Sequence, residues 1–323
     1  MSKNRVCEAL GIEKPVIQGP MAWSAFAPLV AAASEAGGLG VLGVASAPAE
    51  LVRDQIKQTR ELTDKPFGVN VFMMKVLIDD VKPVLLEEKP AVVYADVLNN
   101  LDPELCNYFF PDLKAEGIKI IVKASTLADA ITAEQCGADV VIAKGWEGGG
   151  HVTPESTMAL LPQVADALSI PVVGSGGIAD GRGVAASISL GAEGFEMGTR
   201  FLCSEECTIH EDTKKAIIEA GDMRSVITGT CTFEPCRQLS NAFSDKMTDL
   251  EMNHPAAEVV DQIRELSVTS LKAGMHDGDI ENGAVMAGMI APLVTEILPV
   301  KTIIDTVLEE GKEVLRKNQE FTF

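Results

Sequence analysis

The chain has 323 residues, of which 46% are hydrophobic and 23% charged, and its formal net charge is −20. This size and hydrophobic content suit a globular protein with a large core, and about 250 residues suffice for one α/β barrel. The acidic balance argues against nucleic-acid or anionic-membrane partners, because both need a basic surface. A small anionic ligand remains compatible, since backbone amides and helix N-termini bind phosphate without net positive charge.

The sequence contains no stretch of about 20 apolar residues, so we predict no membrane span. The N-terminal segment lacks the features of a signal peptide. The seven cysteines, an odd number, indicate reduced thiols and a cytoplasmic protein. Cys203 and Cys207 form a C-x3-C pair near His210, and Cys231 and Cys236 form a C-x4-C pair. Neither has the C-x2-C spacing typical of zinc sites, so we expect ordinary thiols and no metal.

Short, continuously apolar segments alternate with helical ones through most of the chain. We predict strands at residues 15–18, 39–42, 67–72, 91–95, 119–122, 140–143, 171–174 and 194–197, and helices at 25–36, 48–62, 79–88, 103–116, 126–136, 155–168 and 182–190. Continuous apolar strands are typical of parallel sheets buried on both faces. The repeat of about 25 residues favours a (β/α)8 TIM barrel, with a doubly wound open sheet as the alternative.

The alternation stops after residue 201. We therefore predict a barrel at residues 1–204 and a smaller, mainly helical substrate or lid domain at residues 205–276. Residues 277–323 are predicted to form C-terminal helices, two of them within residues 283–318, which pack back on the barrel.

The active site of such a barrel lies where its strands end. The residues at or just after the predicted strand ends are Gly19, Met21, Ala22, Gly43, Asn70, Asp96, Ala124, Lys144, Gly176, Gly177, Gly198 and Thr199. The turns after the last two strands are the usual phosphate site, and both carry glycine. Either turn alone could be merely a tight connection, but both together favour phosphate binding.

Two polar residues near the strand ends need a chemical explanation. Asn70 lies inside the apolar segment FGVNVF, so its amide needs either an internal partner or a ligand such as a flavin edge. His151 follows the glycine run ending at Gly150, and histidine titrates near neutral pH. We predict that His151 gives or takes a proton beside a hydride acceptor.

Six ordered motifs resemble the flavin-dependent family that joins nitronate monooxygenase (2-nitropropane dioxygenase) and enoyl-acyl carrier protein reductase II. They are QGPMAW (18–23), EAGGLG (35–40), KPFGVN (65–70), EGGGH (147–151), GGIADGRG (176–183) and MGTRF (197–201). A further segment, DGDIENGAVMAG (277–288), is similar to the C-terminal region of that family.

The resemblance implies an FMN-bearing barrel with a smaller substrate domain and assigns the catalytic role to His151. It implies flavin contacts at Met21, Ala22, Asn70, Gly176, Gly177, Gly198 and Thr199. To this cofactor set we add Gly19, Lys144 and Gly150, which lie at strand ends or in the glycine run.

Three positions depart from the family pattern. The segment after the fourth strand reads YADVLNNLD instead of a small-residue turn, Lys144 replaces a common Glu or Gln, and Met289 replaces Gln. Since Asp96 and Lys144 both lie at strand ends, we expect them to form a charge pair that faces the cofactor. A lysine there would also stabilise an anionic reduced flavin.

The primary hypothesis is reduction of an activated C=C bond, such as that of an enoyl thioester, with NADH or NADPH as reductant. An acyl carrier protein is then a candidate partner, with Lys214, Lys215, Arg224, Arg237 and Lys246 as its candidate basic patch. The alternatives are oxidation of alkyl nitronates with O2, which QGPM favours, and a flavin-binding protein without turnover. The sequence leaves monomer and homodimer, and NADH and NADPH, open.

Overall fold

The computed structural model describes residues 4–98 and 100–319. Eight parallel strands close a barrel in the order β1-β2-β3-β4-β5-β6-β8-β9. They are β1 (Val16–Gln18), β2 (Leu39–Leu42), β3 (Phe67–Phe72), β4 (Val92–Asp96), β5 (Lys119–Ala124), β6 (Val140–Lys144), β8 (Val172–Ser175) and β9 (Gly194–Met197). The predicted TIM barrel is confirmed, and the open sheet is wrong because β9 pairs with β1.

Helices surround the barrel between consecutive strands. They are α2 (Ala27–Glu35), α3 (Ala49–Leu62), α4 (Lys75–Glu88), α5 (Pro103–Ala115), α6 (Leu127–Gln135), α7 (Thr157–Ala167) and α8 (Gly181–Ser189), followed by the short α9 (Thr199–Leu202). Side-chain caps fix several starts: Thr126 accepts a hydrogen bond from the Asp129 amide, and Asp180 from the Arg182 and Gly183 amides.

A first helix, α1 (Arg5–Leu10), which the sequence analysis did not predict, closes the N-terminal end of the barrel. Its Val6 and Leu10 are buried in one cluster with inward-facing strand residues, among them Ile17, Val92 and Ile121. Six residues are too short for a clear helical periodicity, so packing rather than propensity stabilises this helix.

Beyond the barrel lie α10 (Glu211–Ile218), α11 (Ala242–Asn253) and α12 (Ala256–Met275), together with a small antiparallel sheet. That sheet has the order β10-β11-β7, formed by β10 (Ser225–Thr228), β11 (Cys236–Leu239) and β7 (Gly150–His151). Its strands are short and partly polar, and the sequence analysis missed them. Because β7 comes from the glycine run, the sheet includes residues from within 1–204, and the three-part division stays a prediction.

The prediction of two C-terminal helices within residues 283–318 is wrong. One helix, α13 (Val300–Asn318), is preceded by irregular chain with a single 3-10 turn at Ala291–Leu293. Gly283, Gly288 and Pro292 disfavour a helix in that segment, and Pro299 is the N-cap of α13. Helix α13 packs closely on α8, since a Cβ on Gly181 would lie 2.2 Å from the Glu310 Cβ.

In the described part of the chain, no helix combines the length and apolarity needed to cross a bilayer.

The packing of α1 makes a testable prediction. Leu10→Ala should lower the free energy of unfolding by about 2–4 kcal/mol, because it leaves a cavity under the barrel. Urea unfolding monitored by circular dichroism would measure the change, with Glu8→Gln on the exposed face of the same helix as control. A loss below about 1 kcal/mol for Leu10→Ala would mean that α1 does not close the core.

Candidate active site

A cavity that is open to solvent lies over the C-terminal ends of the barrel strands. It brings together every cofactor and catalytic residue proposed from the sequence: Gly19, Met21, Ala22, Asn70, Lys144, Gly150, His151, Gly176, Gly177, Gly198 and Thr199. Asp96 also lines it, whereas Gly43 and Ala124 do not.

The turn after β8 has the geometry of an anion site. Gly176 and Gly177 have φ angles of 95° and 77°, in the left-handed region that favours glycine. Among the described residues, no backbone carbonyl accepts a hydrogen bond from the N–H of either glycine. A Cβ on Gly176 would lie 3.0 Å from the Gly145 carbonyl oxygen, so this turn packs closely on the loop after β6. Successive free amides in such a turn form a concave site for phosphate oxygens.

The turn after β9 adjoins this site. Gly198 precedes α9, and a Cβ there would lie 3.5 Å from the Met21 Sδ, so the methionine packs over the glycine. The Thr199 hydroxyl accepts a hydrogen bond of 2.9 Å from the Gly288 amide. Thr199 therefore joins the second turn to the chain segment that returns from the small sheet and helices.

The glycine run after β6 is explained mainly by close backbone packing. A Cβ on Gly149 would lie 2.8 Å from the Ala287 carbonyl carbon, and one on Gly148 would lie 2.7 Å from the Lys144 Cε. Gly150 instead has a φ of 70° with open space around it. The Met289 amide donates to the Glu147 carbonyl at 2.9 Å, so the loop and the returning chain are hydrogen-bonded as well as packed.

The expected charge pair of Asp96 with Lys144 is wrong. Asp96 forms an ion pair with Lys123, its neighbour in register on β5. The Lys144 ammonium donates instead to the carbonyls of Gly149 and His151, both at 3.0 Å. Burial lowers the pKa of Lys144 to about 8, and the positive charge of Lys123 acts in the same direction. Lys144 thus stabilises the glycine loop by hydrogen bonds to its backbone.

Lys123 and Glu196 are cavity residues that the sequence analysis missed. Glu196 is 6% exposed and accepts hydrogen bonds from the Tyr94 hydroxyl at 2.9 Å and the Ser175 hydroxyl at 2.6 Å. Burial raises its pKa. A sequence signal existed, because the side chains of a strand alternate. Tyr94 and Asp96 are two residues apart on β4, as are Ile121 and Lys123 on β5. Each pair therefore faces the barrel interior, and Asp96 and Lys123 are the last inward-facing residues of their strands.

His151 lies on β7, opposite Cys236 of β11. Its ring packs edge-to-face on Phe72, with centroids 6.0 Å apart. Burial lowers the pKa of His151 to about 4, and the charges of Lys123 and Lys144 add to this. This pKa lies below the near-neutral value that is ordinary for histidine, and the proton-transfer role of His151 stays a prediction. At pH 7 His151 is a neutral imidazole, which can donate one hydrogen bond and accept another.

Asn70 is 5% exposed, and its amide donates to the Tyr94 carbonyl at 3.3 Å. Its side chain is thus oriented by the neighbouring strand while it lines the cavity. The internal partner accounts for part of its hydrogen bonding, and its contact with a flavin remains a prediction.

One wall of the cavity is apolar and comes from outside the barrel. Leu271 and Met275 belong to α12, and Met286 and Ile290 belong to the returning chain. Trp23, which lies between the cavity residues Ala22 and Ser24, has a φ of 60° and packs on His276, with ring centroids 6.3 Å apart. Long apolar side chains beside a polar floor suit a substrate with an alkyl chain next to its reacting group.

All seven cysteines are free thiols. Within residues 4–98 and 100–319, no three His, Cys, Asp or Glu side chains are placed to hold a metal ion. The C-x3-C and C-x4-C pairs therefore have no described metal cluster around them.

The low pKa of His151 predicts how acid affects stability. The unfolded chain takes up this proton near the ordinary value of 6.5 and the folded chain only near 4, so folding loses stability as the pH falls between these values. His151→Gln should reduce that loss by about 2–3 kcal/mol. Urea unfolding at pH 4 to 7 would measure it, with exposed His254→Gln as control. An unchanged acid dependence would contradict the half-buried, neutral state.

Comparison with known proteins identifies the family. The chain matches the family described as nitronate monooxygenase over residues 3–105 and 106–310. It is 32% identical to a probable nitronate monooxygenase of Staphylococcus aureus, over 98% of this chain and 99% of the relative. FabK from Thermotoga maritima has a TM-score of 0.92 at 39% identity and 100% coverage of both chains. A nitroalkane oxidase from Streptomyces ansochromogenes has a TM-score of 0.81 at 29% identity, covering 98% of this chain and 100% of that one. The chain therefore belongs to the nitronate monooxygenase family and is an oxidoreductase.

Proposed function

We propose that the protein binds FMN and reduces the activated C=C bond of an enoyl thioester with NADH or NADPH. What carries the proposal is the pairing of a neutral, half-buried His151 with an apolar wall at the same cavity. The likeness to FabK over the whole chain supports the reductase class.

The residues present fit FMN. The unpaired amides of Gly176 and Gly177, with the adjacent Gly198 and Thr199, would hold the phosphate. Met21 and Ala22 would contact the ring system on one side, with Asn70 at its edge. Bound FMN would supply hydride transfer, which no amino-acid side chain provides.

The remaining chemistry belongs to the chain itself. The neutral imidazole of His151 can donate a hydrogen bond to the thioester carbonyl oxygen, which stabilises negative charge that develops there. Lys144 fixes the backbone of this histidine through the His151 carbonyl. Leu271, Met275 and Met286 would bind the acyl chain and exclude water from the reacting carbons.

The structure corrects the basic patch expected for an acyl carrier protein. Lys214 is 7% exposed and donates to the Ser204 carbonyl, and Arg237 is 3% exposed and donates to the Trp146 carbonyl. Lys215 pairs with Asp212 at 3.2 Å. With these cations engaged, little of the predicted patch is free for an acidic partner. We therefore propose a small-molecule thioester as the first substrate to assay, with acyl carrier protein as a second arm.

Oxidation of nitronates with O2 is the second candidate, and two observations favour it. Lys144 places an ammonium group at the cavity that is bound by backbone carbonyls rather than by a carboxylate, which suits an anionic substrate. The family match and the curated relative carry the nitronate monooxygenase name. An imidazole with a pKa of about 4 is a weak base, so the substrate would be the preformed nitronate rather than a neutral nitroalkane.

An anaerobic half-reaction separates the two functions. We expect NADH or NADPH to bleach the absorbance of the FMN-loaded protein, and crotonyl-coenzyme A to restore it. The measurement is stopped-flow absorbance, with propyl-2-nitronate in air as the comparison. If neither nucleotide bleaches the flavin while nitronate is oxidised, the reductase proposal fails and the second candidate replaces it.

Substitution of the histidine tests its role. His151→Ala should lower turnover by about 100-fold or more, because it removes a donor that acts on developing charge. Flavin content should stay near one per chain, since no phosphate contact is changed. His210→Ala, outside the cavity, is the matched control. Equal loss of flavin and of turnover would assign His151 a structural role instead.

A further inference from the structure

A second protonated group faces the cavity beside His151. Cys236 of β11 is the direct cross-strand neighbour of His151 on β7, and both line the cavity. Directly opposite residues of an antiparallel pair project to the same face, with Cβ atoms roughly 4.5–5.5 Å apart. The thiol and the imidazole can therefore contact the same substrate.

The two groups differ in the proton that each can release. Burial raises the pKa of Cys236 to about 11, although the ammonium groups of Lys144 and Lys123 oppose this. Its Sγ donates a weak hydrogen bond to the Glu234 carbonyl at 3.6 Å, as a thiol does. His151, with a pKa of about 4, is not an imidazolium at pH 7, and the N–H that its neutral ring keeps is a much weaker acid than a thiol. Of this cross-strand pair, the thiol is the better source of a proton for carbon.

Resting on the proposed function, we propose that Cys236 is the catalytic acid that protonates the α-carbon of the enoyl thioester, while His151 holds the carbonyl oxygen. Bound FMN would supply the hydride that is added to the β-carbon, and the reduced nicotinamide nucleotide, as the two-electron donor, would be oxidised. The electron pair of the C=C π bond then forms the new C–H bond at the α-carbon with the proton of the thiol. The S–H bond breaks, and the thiolate takes a proton from water to complete the cycle.

The position of Lys144 supports this assignment. Its ammonium contributes favourably to the thiolate of Cys236, so the negative charge left on sulfur has a nearby counter-charge. The same lysine donates a hydrogen bond to the His151 carbonyl, so one cation stabilises both residues that are proposed to act on the substrate. Positioned general acids contribute typically 10²–10⁴-fold to a rate, which sets the size of the expected effect.

The experiment compares Cys236→Ala and Cys236→Ser with Cys231→Ser, a thiol of the same segment that does not line the cavity. Anaerobic stopped-flow absorbance follows two half-reactions of the FMN-loaded protein: bleaching by NADPH and recovery with crotonyl-coenzyme A. We expect bleaching within about twofold of the unsubstituted protein in all variants. Recovery should slow by about 100-fold or more in Cys236→Ala, less in Cys236→Ser, and not in Cys231→Ser.

A second readout does not depend on turnover. Modification of Cys236 by N-ethylmaleimide, located by peptide mass spectrometry, should slow by about tenfold when butyryl-coenzyme A occupies the site, while modification of Cys231 should not.

Four results would overturn the assignment. Undiminished recovery in Cys236→Ala removes the acid role. Equal slowing of both half-reactions in Cys236→Ser indicates a structural role. Absence of protection by butyryl-coenzyme A means that the thiol does not meet the substrate. If the unsubstituted protein is bleached by NADPH but no enoyl thioester restores it, the proposed substrate class fails and the role of Cys236 fails with it.

Discussion

The close approach of two backbones, at Gly149 and at Ala287–Gly288, is the contact on which the candidate site depends. A Cβ on Gly149 would lie 2.8 Å from the Ala287 carbonyl carbon, so a larger residue would push the segments apart. The loop then ends in β7, which joins the small antiparallel sheet and carries His151 into the cavity. This contact therefore links the barrel, the small sheet and the returning chain, and Lys144 stabilises it by a hydrogen bond to the Gly149 carbonyl. Small residues are needed here because two peptide backbones occupy the space that a side chain would take.

Electrostatics at the cavity floor follow from where the barrel strands end. Inward-facing positions are apolar lower in the barrel, around Ile17, Ile121 and Ile142, and become charged at the last position. Lys123 pairs with Asp96, while Glu196 accepts hydrogen bonds from Tyr94 and Ser175. Among the described residues no carboxylate is hydrogen-bonded to Lys144, which is held by backbone carbonyls and has a pKa lowered to about 8. Burial, together with the charges of Lys123 and Lys144, lowers the pKa of His151, so the role proposed for its neutral ring is that of a hydrogen-bond donor.

The sequence predicted the barrel well because its strands are apolar, regularly spaced and bounded by glycine or proline. Most of the cavity residues at the strand ends could also be predicted, because barrel geometry places every strand end at one face. The predictions that failed were those that depended on contacts between segments distant in the sequence. The partner of Asp96 is set by strand register, which composition does not reveal, and the small sheet joins residues 150–151 to residues 225–239. Cys236 was judged only as half of a metal pair, because its position opposite His151 exists only after that sheet has formed.

The central claim is that this cavity holds FMN with its phosphate on the turns after β8 and β9, and a thioester between His151 and the apolar wall. A crystal structure of the protein with FMN and butyryl-coenzyme A tests it most directly. The account predicts phosphate oxygens on the amides of Gly176, Gly177 or Thr199, and the thioester oxygen within hydrogen-bond distance of the His151 ring. A phosphate bound elsewhere, or an acyl group directed away from His151 and Met275, would contradict it.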